Sequence, residues 1–271
     1  MRMIDFEYDG RLLSSFSMVP AGFNMDSDEQ DVGNRISMSD LKVPNKETYY
    51  SLGSRYEEPF RKEFEITKID CKNGEFILND KELNDLIRWL NRKEYRKFKP
   101  IYENGEFEGA YYMATFNVSP LNVGQQVIGL KLEMETNAPY AFKENGVVSM
   151  EFKLDSDTLT VTDPSNEIGA KNAQVQITCM ANGDLTITNT LDPNNDVVIK
   201  NCKMNEVITL YGDTKIIKSN SPSHTTLPND FNYNFLRIVS TDDSNQNIIK
   251  SSINCKMDIT YKPIMKVGLV V

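Results

Sequence analysis

Serine hydrolysis is the first chemistry to consider, because hydroxyl side chains are plentiful and the 271-residue chain has a single histidine. The mechanism needs a serine, a base that is nearly always histidine, and a group that orients the base. His224 lies in Ser-Pro-Ser-His-Thr-Thr, which is typical of a loop, and the sequence has no Gly-x-Ser-x-Gly elbow. We therefore expect His224 to be solvent-exposed or locally hydrogen-bonded, without a catalytic role.

Paired carboxylates could instead support glycoside hydrolysis, since two such groups suffice for acid–base or nucleophilic catalysis. Glu133 and Glu135 are candidates, because they share one face of a predicted strand whose other face carries Leu132 and Met134. Alternation of this kind is typical of a strand with one buried and one solvated face. The pattern favours a solvated polar face over a catalytic pair.

Metal chemistry has little support in the cysteines, which are Cys71, Cys179, Cys202 and Cys255. A zinc site needs closely spaced Cys or His pairs, and no Cys-x-x-Cys occurs among them. Without an export signal, reduced and buried thiols are the expected state of cysteines in a chain of this kind.

The acidic segment Met25–Asp31 could attract calcium. It lacks the sixth-position glycine and twelfth-position glutamate of an EF-hand loop, so an acidic surface loop is favoured. The glycines are scattered singly, and no phosphate-binding Gly-x-x-x-x-Gly-Lys-Ser/Thr motif occurs. We predict no metal and no cofactor.

A basic strip at Arg88–Lys99 stands out in a chain whose formal net charge is −9. It is a candidate subunit interface that would meet an acidic neighbour through four residues: Arg88, Arg92, Arg96 and Lys97. A plain solvated helix end is the interpretation that the sequence favours for this strip, ahead of the interface. A nucleic-acid contact with interleaved Tyr95 and Phe98 is another.

The composition argues against two broad classes of protein. A pI near 4.9 disfavours electrostatic or sequence-specific binding of nucleic acid, which needs a basic surface. No run approaches 18 apolar residues, so we expect no membrane insertion, and Met1–Gly10 does not resemble a secretory signal. We expect a soluble protein made in the cytoplasm.

The elements that position these residues are mostly strands. Apolar and polar residues alternate in segments such as Lys62–Ile69, Val127–Met134 and Asn254–Tyr261, and turn-forming pairs such as Asn104-Gly105 and Asn182-Gly183 separate strand-like segments. Asn-Gly pairs tolerate the positive φ angles of tight hairpins. Strands at this spacing predict antiparallel sandwiches or barrels.

One helix interrupts the strand pattern, between Asn79 and Lys93. Its apolar stripe is Leu83, Leu86, Ile87 and Leu90, with Trp89 at the flank of the stripe. Asn79 and Glu82 have the spacing of a capping box at the first turn. We expect this helix to cover one sheet face of the N-terminal half.

The chain therefore reads as mainly β, in two β-sandwich-type domains. A shift in composition near Thr136–Asn145 predicts an N-terminal domain at 1–137, with a single α-helix insert near 80–93, and a C-terminal domain at 138–271. The second half is richer in Asn and Thr and has no helical stripe.

Several spaced segments, which together sample most of the chain, carry a family resemblance. They are Phe6–Gly10, Leu13–Val19, Ser119–Phe142, Gly183–Asn189, Glu206–Leu210 and Asn229–Leu236. In this order they resemble distal tail proteins of long-tailed phages and prophages of low-GC Gram-positive bacteria. Ser119–Phe142 is similar to that family's end of the first domain, where an alternating strand leads into an Asn-Ala-Pro linker.

The resemblance implies a structural hub of the phage tail tip or baseplate and no enzyme. Its N-terminal domains would form a hexameric ring whose bore passes DNA, and its C-terminal domain would be a galectin-like β-sandwich. The implied partners are other copies of the chain, the tail tube protein, a tail-associated lysin or tip protein, and receptor-binding or baseplate proteins. The protein would be part of the virion.

Two other classes of function stay open from the sequence. The first is a carbohydrate-binding accessory module that recognises a bacterial surface. A galectin-type sugar site needs a stacking tryptophan, and the C-terminal half has none. The second is a glycosidase acting through carboxylates. The sequence favours the tail hub over both.

Overall fold

The computed structural model describes residues 3–21, 36–43, 47–56, 58–69, 76–105, 108–144, 146–152, 157–222 and 224–266. The chain divides into two compact units, Met1–Phe142 with Met265–Val271, and Lys143–Ile264. The expected mainly β class is confirmed. The acidic segment Met25–Asp31 and Cys71 lie outside the described residues.

The first unit is built from strands, one α-helix and a short 3-10 helix at Leu13–Phe16. In chain order the strands and the α-helix are β1 (Met3–Tyr8), β2 (Arg11–Leu12), β3 (Met18–Ala21), β4 (Ile36–Lys42), β5 (Tyr49–Tyr56), β6 (Arg61–Lys68), α1 (Asp80–Leu90), β7 (Arg96–Tyr102), β8 (Ala110–Val123), β9 (Gln126–Thr136) and β10 (Ala141–Lys143).

One sheet in the order β2-β1-β7-β8-β9-β6-β3 forms the body of this unit. It curls back on itself, because Phe6 on β1 contacts Phe64 on β6 with ring centroids 6.0 Å apart although three strands separate them in the order. The inward faces of both halves therefore share one aromatic core, to which Phe98 and Phe116 also belong.

The helix α1 begins as expected. Asn79 accepts a hydrogen bond from the amide of Glu82, and the Glu82 carboxylate accepts one from the amide of Asn79, so the capping box is confirmed. The helix ends at Leu90 because the next residue, Asn91, has an extended backbone. It therefore stops short of Lys93.

The buried face of α1 is rotated from the predicted stripe. Leu86, Trp89 and Leu90 are buried, whereas Ile87 is exposed, so the inclusion of Ile87 in the stripe is wrong. Trp89 takes the inner position because its indole stacks on Phe16 at 4.6 Å and donates a hydrogen bond to the carbonyl of Tyr8 at 2.9 Å. A large aromatic with a satisfied N–H buries more apolar area than isoleucine.

The second unit continues with short strands and a four-residue helix. They are β11 (Gly146–Phe152), β12 (Leu159–Thr162), β13 (Gly169–Asn172), β14 (Gln174–Cys179), β15 (Gly183–Asn189), β16 (Val197–Cys202), β17 (Val207–Tyr211), β18 (Ile216–Ser219), α2 (Leu227–Asp230), β19 (Arg237–Ser240), β20 (Gln246–Ser251) and β21 (Cys255–Tyr261). The last strand, β22 (Ile264–Met265), belongs to the sheet of the first unit.

Two antiparallel sheets make this second unit a sandwich. One has the order β11-β21-β14-β17-β18 and the other the order β12-β20-β15-β16. Inward residues of both, such as Ile177 on β14 and Ile187 on β15, belong to one buried cluster. Alternation along β14 and β15 is thus explained by a single core between two sheets. No helix within the described ranges is long and apolar enough to cross a bilayer.

Candidate functional site

His224 is buried and held by carboxylates on both sides. Its Nδ1 lies 2.8 Å from Oε1 of Glu206, and its Nε2 lies 3.3 Å from Oδ2 of Asp230. The expectation of local hydrogen bonding is met, but the side chain is not on the surface. Both ring nitrogens are engaged by carboxylates, so neither is directed at a serine hydroxyl. The geometry is that of a structural network.

Glu206 is the centre of this network, which we call the His224 network. Its carboxylate accepts hydrogen bonds from the Ser219 hydroxyl at 2.5 Å and the Lys203 amide at 2.9 Å. Burial disfavours the charged form, but these bonds and the contact with His224 outweigh burial and hold the pKa of Glu206 below its usual value. The network joins the ends of β16, β17 and β18 to α2.

A second buried network surrounds Asp163, which follows β12. Its carboxylate lies 2.9 Å from the ammonium of Lys171 and accepts hydrogen bonds from the hydroxyls of Ser165 and Ser240. Burial opposes ionisation, yet these contacts hold the pKa of Asp163 below its usual value. Lys171 also donates hydrogen bonds to two backbone carbonyls, so its ammonium is held by three groups of the fold.

Sequence reasoning missed the Asp163–Lys171 pair, because Asp163-Pro164 has the composition of a turn. The signal that could have revealed it is the position of Lys171, which lies two residues before the buried Ala173 and therefore on the same face of the chain. A buried lysine needs an anionic partner. The partner's identity depends on the fold.

The carboxylates Glu133 and Glu135 lie on the outer face of β9, as predicted, with Leu132 and Met134 buried on the other. Across the β6–β9 pair, Glu133 is opposite Glu63, whose carboxylate bridges to Lys131 at 2.7 Å. Glu135 is 3.4 Å from Arg61. The arrangement is a salt-bridged sheet surface.

Three cysteines are reduced and buried in the second unit: Cys179, Cys202 and Cys255. For them the prediction is confirmed. A hydrogen bond shared with Cys202, together with burial, raises the pKa of the Cys179 thiol. A protonated, enclosed thiol is chemically inert. Among the described residues, no group of three or more His, Cys, Asp or Glu side chains is arranged to hold a metal ion.

The four residues of the basic strip lie at the end of α1 and the start of β7. Arg88 is exposed in the last helical turn, Arg92 is 3.6 Å from Asp9, and Arg96 is 2.8 Å from Glu94. Lys97 lies over the ring of Tyr111, 4.3 Å from its centroid. Two of the four charges, those of Arg92 and Arg96, are therefore already paired with carboxylates within the chain.

The charges of Arg92 and Arg96 both act on Tyr8 of β1. Burial raises the pKa of Tyr8 to about 12, and the positive charges of both guanidinium groups oppose that rise. Both are close to half exposed, at 42% and 45%. Phe98 is fully buried in the aromatic core, so it cannot stack on a base as the nucleic-acid interpretation requires.

An exposed apolar hairpin is the feature that sequence reasoning did not single out. Among the strands that the structure describes, β4 and β5 pair with each other and with no third strand, and their burial patterns contain no buried residue. Leu52, on β5, is 70% exposed. Neither strand is among the segments that alternation predicts, and the exposure of both faces depends on the tertiary structure.

The chain matches two family models. Residues 1–138 match the phage tail protein N-terminal domain, and residues 140–261 match the phage tail C-terminal domain. No curated protein matches the chain in sequence.

The fold is similar to that of the crystal structure of SPP1 Dit (gp 19.1), described as a paradigm of the hub adsorption apparatus in Gram-positive infecting phages. The TM-score is 0.62 at 8% identity, over 96% of this chain and 99% of that chain. A structure of the phage P2 baseplate in its activated conformation with Ca aligns over 97% of this chain and 98% of that one, with a TM-score of 0.47 at 10% identity. Because residues 1–138 and 140–261 both match phage tail domains, this chain belongs to the family of phage tail proteins that the N-terminal domain defines.

Proposed function

We propose that this chain is the distal tail hub of a long-tailed phage. In this proposal six copies close a ring at the tail tip, and the bore of the ring lets DNA pass. The observation that carries the proposal is the joint match of both halves to phage tail domains, together with a fold shared over nearly the full length of SPP1 Dit. The protein would be made in the host cytoplasm and become part of the virion.

The buried polar groups support a structural role over an enzymatic one. The one histidine is held between two carboxylates, and the Asp163–Lys171 pair is closed off by hydroxyl and carbonyl partners. Groups held in this way rigidify a fold and are not available to substrate. We propose that the chain catalyses no reaction.

The partners in this proposal are the tail tube protein on one side of the ring and a tail-associated lysin or tip protein on the other. Receptor-binding or baseplate proteins would attach outside. Within the ring we keep the basic strip as a proposed subunit contact, through Arg88, Arg92, Arg96 and Lys97. Its two half-exposed guanidinium groups support this.

Light scattering on the full-length chain over a range of concentrations tests the ring. We expect a species of six times the 30.9 kDa chain mass, either alone or after addition of the tail tube protein. Electron micrographs of that species should show sixfold rings with a central hole. A protein that stays monomeric under both conditions would contradict the proposal.

A further inference from the structure

The hairpin formed by β4 and β5 exposes an unusual amount of apolar surface for its size. Six large side chains are between 48% and 70% exposed, and they are Ile36, Met38, Leu41, Tyr49, Tyr50 and Leu52. None of them belongs to either buried cluster. Single exposed apolar residues are ordinary, but six on one hairpin indicate an interaction surface.

Both faces of the hairpin carry this surface. Residues directly opposite in an antiparallel pair share a face, so Leu41 and Tyr50 lie on one face. Lys42 and Tyr49 lie on the other, where the Lys42 ammonium is 5.6 Å from the Tyr49 ring centroid. A two-stranded hairpin without a core is marginally stable on its own in water. A surface that covers both faces would stabilise it.

The exposed area is large enough for a specific contact. Two of the six side chains are aromatic and present about 150–250 Å² each, and the four aliphatic ones present less. At about half exposure the six offer roughly 500 Å² over both faces of the hairpin. A specific interface buries about 800 Å² per partner. The hairpin's apolar residues would therefore supply most of one side of such an interface.

We infer that this hairpin packs against an adjacent copy of the same chain. The inference rests on the proposed ring, in which each subunit must offer two different surfaces, since a cyclic contact beyond a dimer is heterologous. The first unit carries a second exposed apolar group outside its strands and helices, directly after β6 and shortly before α1. Its members are Ile69, Phe76 and Ile77, which we call the receiving patch. Each copy thus offers an exposed apolar hairpin and an apolar acceptor.

The receiving patch is held on a rigid base. Lys68, next to Ile69, donates hydrogen bonds to the carbonyl of Ile77 and to the Glu82 carboxylate. The amide of Leu78, next to Ile77, bonds to the carbonyl of Val127 on β9. A patch fixed by a buried lysine and by the sheet is preorganised, which lowers the entropic cost of association.

Sedimentation of full-length variants tests the inference. The hairpin variant combines Met38→Lys and Leu52→Lys, and the reciprocal variant carries Phe76→Asp. The matched control combines Ile168→Lys and Met204→Lys, two residues of the second unit with similar exposure. We expect the first two variants to associate at least about a hundredfold more weakly than the unmodified chain, as for loss of interface hot spots, and the control to associate normally.

Melting curves separate this effect from misfolding. All five substituted side chains are exposed, so each variant should melt within a few degrees of the unmodified chain. A variant that melts much lower is replaced by the milder Leu52→Ser, for which we expect weakened association again.

A direct contact is tested by cross-linking. Chains with Leu52→Cys are mixed with chains with Phe76→Cys and treated with a short bismaleimide, and chains without the new cysteines are treated in parallel. We expect cross-linked dimers only when both new cysteines are present. If multimers form but the hairpin variant assembles normally and no such cross-link appears, the hairpin inference is overturned and the ring stands. If no multimer forms even with the tail tube protein, the ring proposal and this inference fall together.

Discussion

Nδ1 of His224 and Oε1 of Glu206 lie 2.8 Å apart in the core of the second unit, although 18 positions separate the two residues in the chain. The buried Glu206 carboxylate thereby links the β17–β18 hairpin to the segment before α2. An interaction of this kind contributes to stability only while that carboxylate is ionised, which makes it testable through pH.

Glu206→Gln should lower the free energy of unfolding by about 1–3 kcal/mol at pH 7, the usual cost of weakening a buried charged hydrogen-bond network. The folded pKa of Glu206 is lowered, so its contribution is complete above the ordinary glutamate pKa of about 4.3 and is lost as pH falls through the lower folded value. Urea unfolding at pH 7 and pH 3 measures both effects.

The difference between the variant and the unmodified chain should therefore shrink towards pH 3. Glu133→Gln is the matched control, because Glu133 is exposed on β9, and it should change stability by less than about 0.5 kcal/mol. A Glu206→Gln effect that stayed the same at both pH values would contradict the assignment.

Asp163→Asn should destabilise the chain more strongly, by about 3–5 kcal/mol, because it leaves the Lys171 ammonium buried without a counter-charge. The double variant Asp163→Asn with Lys171→Met should recover part of this loss, since it removes the orphaned charge. Urea denaturation followed by circular dichroism measures the three proteins together. Equal stability of the single and double variants would refute the pairing argument, and Asp242→Asn at an exposed position serves as control.

Trp89→Ala should cost about 3–5 kcal/mol in the unfolding of the first unit, because it removes a buried ring and its hydrogen bond to Tyr8. Ile87→Ala, two positions earlier on the same helix, should cost less than about 1 kcal/mol. Chemical denaturation followed by circular dichroism compares them. If Ile87→Ala destabilised the first unit more than Trp89→Ala, the predicted stripe containing Ile87 would be the buried face after all.

Charge reversal of the basic strip, Arg92→Glu with Arg96→Glu, should weaken ring assembly and leave folding nearly unchanged. The internal bridges to Asp9 and Glu94 are partly exposed to solvent, and surface bridges of this kind contribute about 0–1 kcal/mol. Lys200→Glu with Lys250→Glu makes the same charge change on exposed strand residues of the second unit. Light scattering compares the two variants, and assembly that is equal in both would exclude the strip from the interface.

Local features of the fold follow from the sequence because they depend on neighbours a few positions apart. The capping box of Asn79 and Glu82 is such a case, since both partners lie within one helical turn. The two faces of β9 are another, because alternation alone places Leu132 inside and Glu133 outside. The buried face of α1 was predicted wrongly at Ile87, which is exposed, whereas Trp89 is buried. Helical spacing alone does not include the area that a tryptophan buries among other aromatic side chains.

The sequence by itself determined that this protein is mainly β, that one capped helix interrupts its first half, and that its single histidine lacks the motif of a serine hydrolase. Only the tertiary structure decided that His224 meets Glu206 and Asp230, that Lys171 meets Asp163, and that the β4–β5 hairpin exposes its large apolar side chains. The physical reason is that burial and charge pairing depend on which residues far apart in the sequence come close in space. Those contacts form only when the sheets pack around their cores.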